Sequence, residues 1–127
     1  MYRRGSSAFP LFPHVPPRRR AIRKIAKLAE VDLKRIRIKI VKGTKGTGFK
    51  GYTRNRRCIE LYEDAFSSAE DLANTLGHER RHVEDLRSAG VDRFMNSLQV
   101  IESEQVARIA GEEARQRYIQ NCMRGGR

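Results

Sequence analysis

Apolar residues recur at three- and four-residue spacing over residues 17–31, where Ala21, Ile22, Ile25, Ala26, Leu28 and Ala29 stand between arginines and lysines. One apolar stripe on a basic background predicts an amphipathic helix. Pro17 suits its first turn, because a missing N–H costs nothing there. The period then changes to two: Ile36, Ile38 and Ile40 alternate with Arg37, Lys39 and Val41, which predicts a half-buried strand over 35–42. Gly43, Gly46, Gly48 and Gly51 punctuate a flexible loop, and a second short strand follows from about Arg57 to Tyr62. The two strands read as a hairpin with a long, basic tip.

Helical spacing returns after residue 66. Ser67 and Ser68 each have an acid three residues on, Glu70 and Asp71, the signature of a capped helix start. Leu72, Leu76, Val83 and Leu86 mark one buried face and Gly90 supplies the stop, so a helix is expected over 68–89. A final helix is expected over 96–120. The first sixteen residues hold three of the four prolines and no periodicity. They read as a proline-rich arm or linker (1–16) ahead of a single domain (17–127).

Composition narrows the classes. A chain of 127 residues has room for one modest core, and the elements above make it a small α+β domain. No apolar run approaches the roughly eighteen residues of a membrane span. Two cysteines, Cys58 and Cys122, exclude a dense disulfide framework and do not form the clustered pairs of a zinc finger. Charge divides the chain: residues 1–57 carry 18 Lys and Arg against Glu30 and Asp32, whereas residues 58–127 carry 9 against 13 acids. A basic half of this kind suits an anionic partner, such as nucleic acid, lipid headgroups or an acidic protein. Arg3 and Arg4 are followed by no long apolar segment and no small-residue cleavage site, so no signal peptide is expected.

Two motifs bear on chemistry. Gly46-Thr-Gly-Phe-Lys-Gly51 is a literal G-x-G-x-x-G after a strand, but dinucleotide binding needs a helix N-terminus to follow. The continuation YTRNRRCIEL looks like strand, so the nucleotide reading is rejected. The second motif is His78-Glu79-Arg80-Arg81-His82, an H-E-x-x-H within the expected 68–89 helix. Residues i and i+4 share a helical face, so two imidazoles can converge on one ion. Zinc is the expected cofactor, with three protein ligands leaving a position for water. Glu79 is turned away from direct ligation and can take a proton from that water.

A third ligand must come from elsewhere, since no histidine follows residue 82. Glu104, in Glu104-Gln105-Val106-Ala107, borders a stripe of small residues, Ala107, Gly111 and Ala114, that would let two helices approach closely. It is favoured over Glu102, which borders the bulkier Val106 and Ile109. His14, in the arm, is read as unrelated. Tyr118, Arg108 and Tyr52 are candidates to stabilise an oxyanion.

His78-Glu79-Arg80-Arg81-His82 with Glu104-Gln105-Val106-Ala107 resembles the glutamate-type zincins, the zinc metallopeptidases. The stretch Ile59-Glu-Leu-Tyr-Glu-Asp-Ala-Phe66 with Leu76-Gly-His-Glu-Arg-Arg-His-Val83 resembles, more narrowly, the metallopeptidase-type toxin domains of bacterial polymorphic toxins such as Rhs-type proteins. The likeness covers residues 35–115. It implies a short sheet beside the H-E-x-x-H helix, with a protein or peptide substrate paired to the sheet's edge strand. It further implies export as part of a larger carrier joined through the arm, activity in a target cell, and an acidic immunity protein suited to the basic half. Without such a carrier the protein would be cytoplasmic.

The charge of the first half supports two other readings. One is a nucleic-acid-targeting toxin, with Phe49 and Tyr52 available to stack on bases. The other is a non-catalytic binding module.

Overall fold

The computed structural model describes residues 14–125. Its elements are helix α1 (Arg19–Ala29), strands β1 (Arg37–Val41), β2 (Gly51–Asn55) and β3 (Cys58–Tyr62), a 3-10 turn (Glu63–Phe66), and helices α2 (Ala69–Ala89) and α3 (Ser97–Gly125). This is the expected α+β architecture: three helices packed with one small sheet. Among the described residues, no helix is long and apolar enough to cross a membrane.

The stripe on α1 becomes core through Ile22, Ile25, Ala26 and Ala29. These pack with Ile38 of β1, Ile59 and Leu61 of β3, and Leu72, Leu76 and Val83 of α2. Expulsion of water from these faces is the main force holding the layers together. The helix ends are closed by polar contacts. Ser68 Oγ accepts the Asp71 N–H at 3.0 Å to cap α2, and Gly90 ends it in the left-handed region at φ 72°. Arg117 and Asn121 of α3 donate to Ala29 O and Leu28 O, the last carbonyls of α1. α3 runs five residues beyond the expected 96–120, and Asn121 in that extra turn is one of the two residues that hold α1.

The sheet departs from the expected hairpin. β1 and β3 are parallel neighbours, with Arg37 opposite Cys58 and Val41 opposite Tyr62. β2 lies outside them, antiparallel to β3, and the strand order is β1–β3–β2. The reason lies in the short Arg56-Arg57 turn, which folds β2 directly back on β3. The preceding glycine segment must then carry the chain past β3 to the far edge. That segment is held rather than free: Gly43 N–H donates to Glu63 Oε2, and Gly46 and Gly48 N–H donate to the two oxygens of Asp64, at 2.7–2.8 Å. Gly51 already belongs to β2. A strand, not a helix, follows the G-x-G-x-x-G, in keeping with rejection of nucleotide binding.

One residue of the segment read as the arm, Val15, is fixed to the domain. Val15 is buried in the core, and its N–H donates to Phe66 O at 2.9 Å. The rest of the arm, residues 1–13, lies outside the described residues.

α2 and α3 meet through small residues. Ala107, Gly111 and Ala114 are buried on α3, and Gly77 faces them from α2. A Cβ at Gly77 would lie 2.5 Å from Ala114 Cβ and 2.8 Å from Ala110 O. One at Gly111 would meet Asn74 Oδ1 and O at 2.8 and 2.9 Å. Backbone and Cβ atoms cannot yield as a flexible side chain can, so substitution must push the helices apart. Gly77→Ala is expected to cost about 1–3 kcal/mol and lower Tm by roughly 5–15 °C. Thermal unfolding followed by circular dichroism measures this, and an unchanged Tm would show that the contact is not close.

Candidate metal centre

α2 presents His78 and His82 one turn apart, with ring centroids 5.0 Å from each other. Because the small residues bring α3 close, Glu104 reaches across to both rings. Its Oε2 lies 2.9 Å from His78 Nε2 and its Oε1 lies 3.0 Å from His82 Nε2. One ligand atom from each of the three residues falls within 4.8 Å of the others. Glu102, the rival for this position, is exposed on α3 and lines the groove behind His82 with Phe94, Met95 and Val106.

A hydrogen-bond chain behind His82 sets its tautomer. Ser103 Oγ donates to Asp85 Oδ2 at 2.7 Å, and Arg81 Nε donates to the other Asp85 oxygen at 3.1 Å. The one serine proton is thus used, so the 2.8 Å contact between His82 Nδ1 and Ser103 Oγ is an N–H donated by the ring. Nε2 therefore holds the lone pair of neutral His82, and it faces a Glu104 oxygen at 3.0 Å. Two lone pairs at that distance repel unless a positive charge stands between them. A proton on Nε2, favoured by Glu104, can supply that charge, although burial, and then the neighbouring His78, holds the His82 pKa below its ordinary value. A divalent cation would supply it as well, and two imidazole nitrogens with one carboxylate are a donor set able to hold one.

Glu79 is buried beside this cluster and accepts a 2.8 Å hydrogen bond from Thr53 Oγ1 of β2. The same hydroxyl lies 3.0 Å from the Glu79 carbonyl. β2 can come this near because Gly51 has no side chain: a Cβ there would meet Thr75 Cγ2 at 2.8 Å and Glu79 Cγ at 3.0 Å. Burial raises the Glu79 pKa to about 7; the Thr53 hydrogen bond opposes the rise, and the Glu104 charge adds to it. A carboxyl poised near neutrality can accept and return a proton.

The other sequence candidates separate. Tyr118 lies fourteen residues beyond Glu104, about 21 Å along the helix axis, and lines a hollow with His14 and Cys122. Tyr52 sits opposite Glu60 in the sheet, one residue from Thr53, and so projects from the face away from α2. Neither can serve the cluster. Arg108, one turn beyond Glu104, shares its helical face and is exposed. Both cysteines are free thiols.

Sequence reasoning missed Thr53, Asp85, Ser103 and Gly77. Asp85 follows His82 by three residues on the same helical face, and Ser103 is the one polar member of the buried stripe of α3. Those two signals were present in the pattern. Thr53 had none, because its role depends on which edge of the sheet β2 occupies.

Comparison of the chain with known proteins matched no protein-family model, no curated protein and no solved structure.

Loss of the relay behind His82 should be felt at the metal. Ser103→Ala and Asp85→Asn should each weaken metal affinity about 10- to 100-fold while leaving the fold intact. Competition titration against a chromogenic chelator reads this, and unchanged affinity in both variants would remove the relay from the site.

Proposed function

We propose that the protein is a zinc-dependent metallopeptidase of the glutamate-zincin type. One observation carries the reading: His78, His82 and Glu104 converge from two helices, with the buried Glu79 carboxyl adjoining them on the strand side. Zinc bound there supplies a Lewis acid and lowers the pKa of a water in its remaining position.

The residues of this chain do the rest. Glu79 takes the proton of the attacking water and returns it to the leaving amine nitrogen. Thr53 holds Glu79 in place, and the Asp85–Ser103 chain keeps the Nε2 lone pair of His82 directed at the site. An extended peptide adds to β2, an edge strand whose inward side already touches Glu79. Arg108 is the remaining candidate for the oxyanion. The setting we infer is a toxin domain carried by a larger bacterial protein and held in check by an acidic immunity protein. Support for that setting is the likeness of residues 59–83 to such domains, together with the basic first half.

Elemental analysis and peptide cleavage on matched variants test the reading. Wild type should hold one zinc per chain and lose cleavage to a chelator. Glu79→Gln should keep the zinc and lose about 100-fold or more of the activity. His78→Ala and Glu104→Ala should lose the zinc, and Glu102→Ala should keep both zinc and activity. A zinc-loaded Glu79→Gln protein with full activity would end the proposal.

A further inference from the structure

α2 packs on one side of the sheet with α1 and α3 gathered against it, and among the described residues no helix covers the other side. Strand alternation and register place Arg37 and Lys39 of β1, Tyr52 of β2, and Cys58, Glu60 and Tyr62 of β3 on that face, and Arg54 of β2 reaches it through its ion pair with Glu60. A polar solvent face is ordinary for a sheet of this kind. Three features here are not.

The first is the cations. Arg37 and Lys39 are exposed, and neither makes an ion pair among the described residues. The one acid in the middle of the face, Glu60, is buried and neutralised: Arg54 Nη1 pairs with it at 2.9 Å and Tyr62 OH donates to it at 3.2 Å. It therefore does little to repel an anion.

The second is the aromatic residues. Tyr52 is 53% exposed and Phe49, on the segment leading into β2, is 68% exposed. Lys39, Glu60 and Tyr52 form one row across the three strands, since Glu60 pairs with both Lys39 and Tyr52. Ring and cation thus stand two strands apart, about 10 Å.

The third is an open hollow of about 600 Å³ at the end of the sheet, lined by Arg35, Arg37, Asn55, Arg57, Cys58 and Asp92. Arg37 and Cys58, opposite each other in register, belong to both the face and the hollow. Asp92 is engaged by Arg56 at 3.2 Å. Arg35 and Arg57 make no ion pair among the described residues.

We propose that this face, which no described helix covers, and the arginine-lined hollow at its end bind single-stranded nucleic acid. Free cations hold phosphates, and exposed rings stack on unpaired bases regardless of sequence. An acidic protein would use the cations but gain nothing base-specific from the rings. A duplex hides the base faces that Tyr52 would meet. This surface lies on the opposite side of the sheet from the metal centre and rests on none of the argument for hydrolysis.

Fluorescence anisotropy with a labelled single-stranded oligonucleotide, in RNA and DNA versions, tests the proposal between about 50 and 200 mM salt. Binding should weaken steeply with salt. Reversing three cations (Arg37→Glu, Lys39→Glu, Arg57→Glu) should lower the log–log salt slope by about 2. Tyr52→Ala should weaken binding about 5- to 150-fold with the slope unchanged, the mark of a stacked base rather than a phosphate contact. His78→Ala should bind as wild type does, which separates this surface from the metal centre. Thermal melts establish that each variant is folded. No binding at the lowest salt, equal binding of duplex and single strand, or unchanged affinity in Tyr52→Ala would each overturn the proposal. Binding of poly-glutamate as tight as that of the oligonucleotide would also overturn it, and would assign the face to an acidic protein.

Discussion

α2 and α3 meet at Gly77 and Gly111 with no room for a side chain between them, and that contact sets the distances among His78, His82 and Glu104 in the candidate metal centre. A glutamate side chain is short. For Glu104 to place one oxygen near each imidazole, the backbone of α3 must lie as close to α2 as the missing side chains allow. The same closeness brings Ser103 onto His82 and so fixes which ring nitrogen carries the proton. Packing, tautomer and ligand reach are one constraint seen at three scales.

Electrostatics divides the molecule in a complementary way. Beside the candidate metal centre two ionisable groups are buried: Glu79, whose pKa burial raises to about 7, and His82, whose pKa burial lowers. Glu79 therefore exchanges a proton easily near neutral pH, whereas burial makes His82 harder to protonate. On the other side, Arg37 and Lys39 are exposed with no ion pair among the described residues and can attract anions over a Debye length.

Much of this was legible in the sequence, for identifiable reasons. The stripe of α1 and the capped start of α2 are local patterns, and both helices end within two residues of expectation. The histidine pair was legible because helical spacing alone puts i and i+4 together. Glu104 was legible less directly, through Ala107, Gly111 and Ala114 beside it. What failed was strand pairing. Two strands separated by a glycine segment read as a hairpin, yet β1 and β3 are parallel, because the partner of a strand is set by non-local packing that periodicity does not record. With the pairing went Thr53, whose contact with Glu79 exists only because β2 is the strand nearest α2. The glycine segment looked free because the carboxylates that grip it, Glu63 and Asp64, come some sixteen to twenty residues later.

β2 is a wall shared by two rooms. Thr53 looks inward to the buried carboxyl and Tyr52 looks outward to solvent, and they are consecutive residues. An irregularity in the pairing between Thr53 and Asn55 pins that alignment. A slip of one residue would exchange the two sets of side chains: the hydroxyl would leave Glu79 and a phenol ring would be driven against α2. Neither side of the sheet could be altered this way without undoing the other.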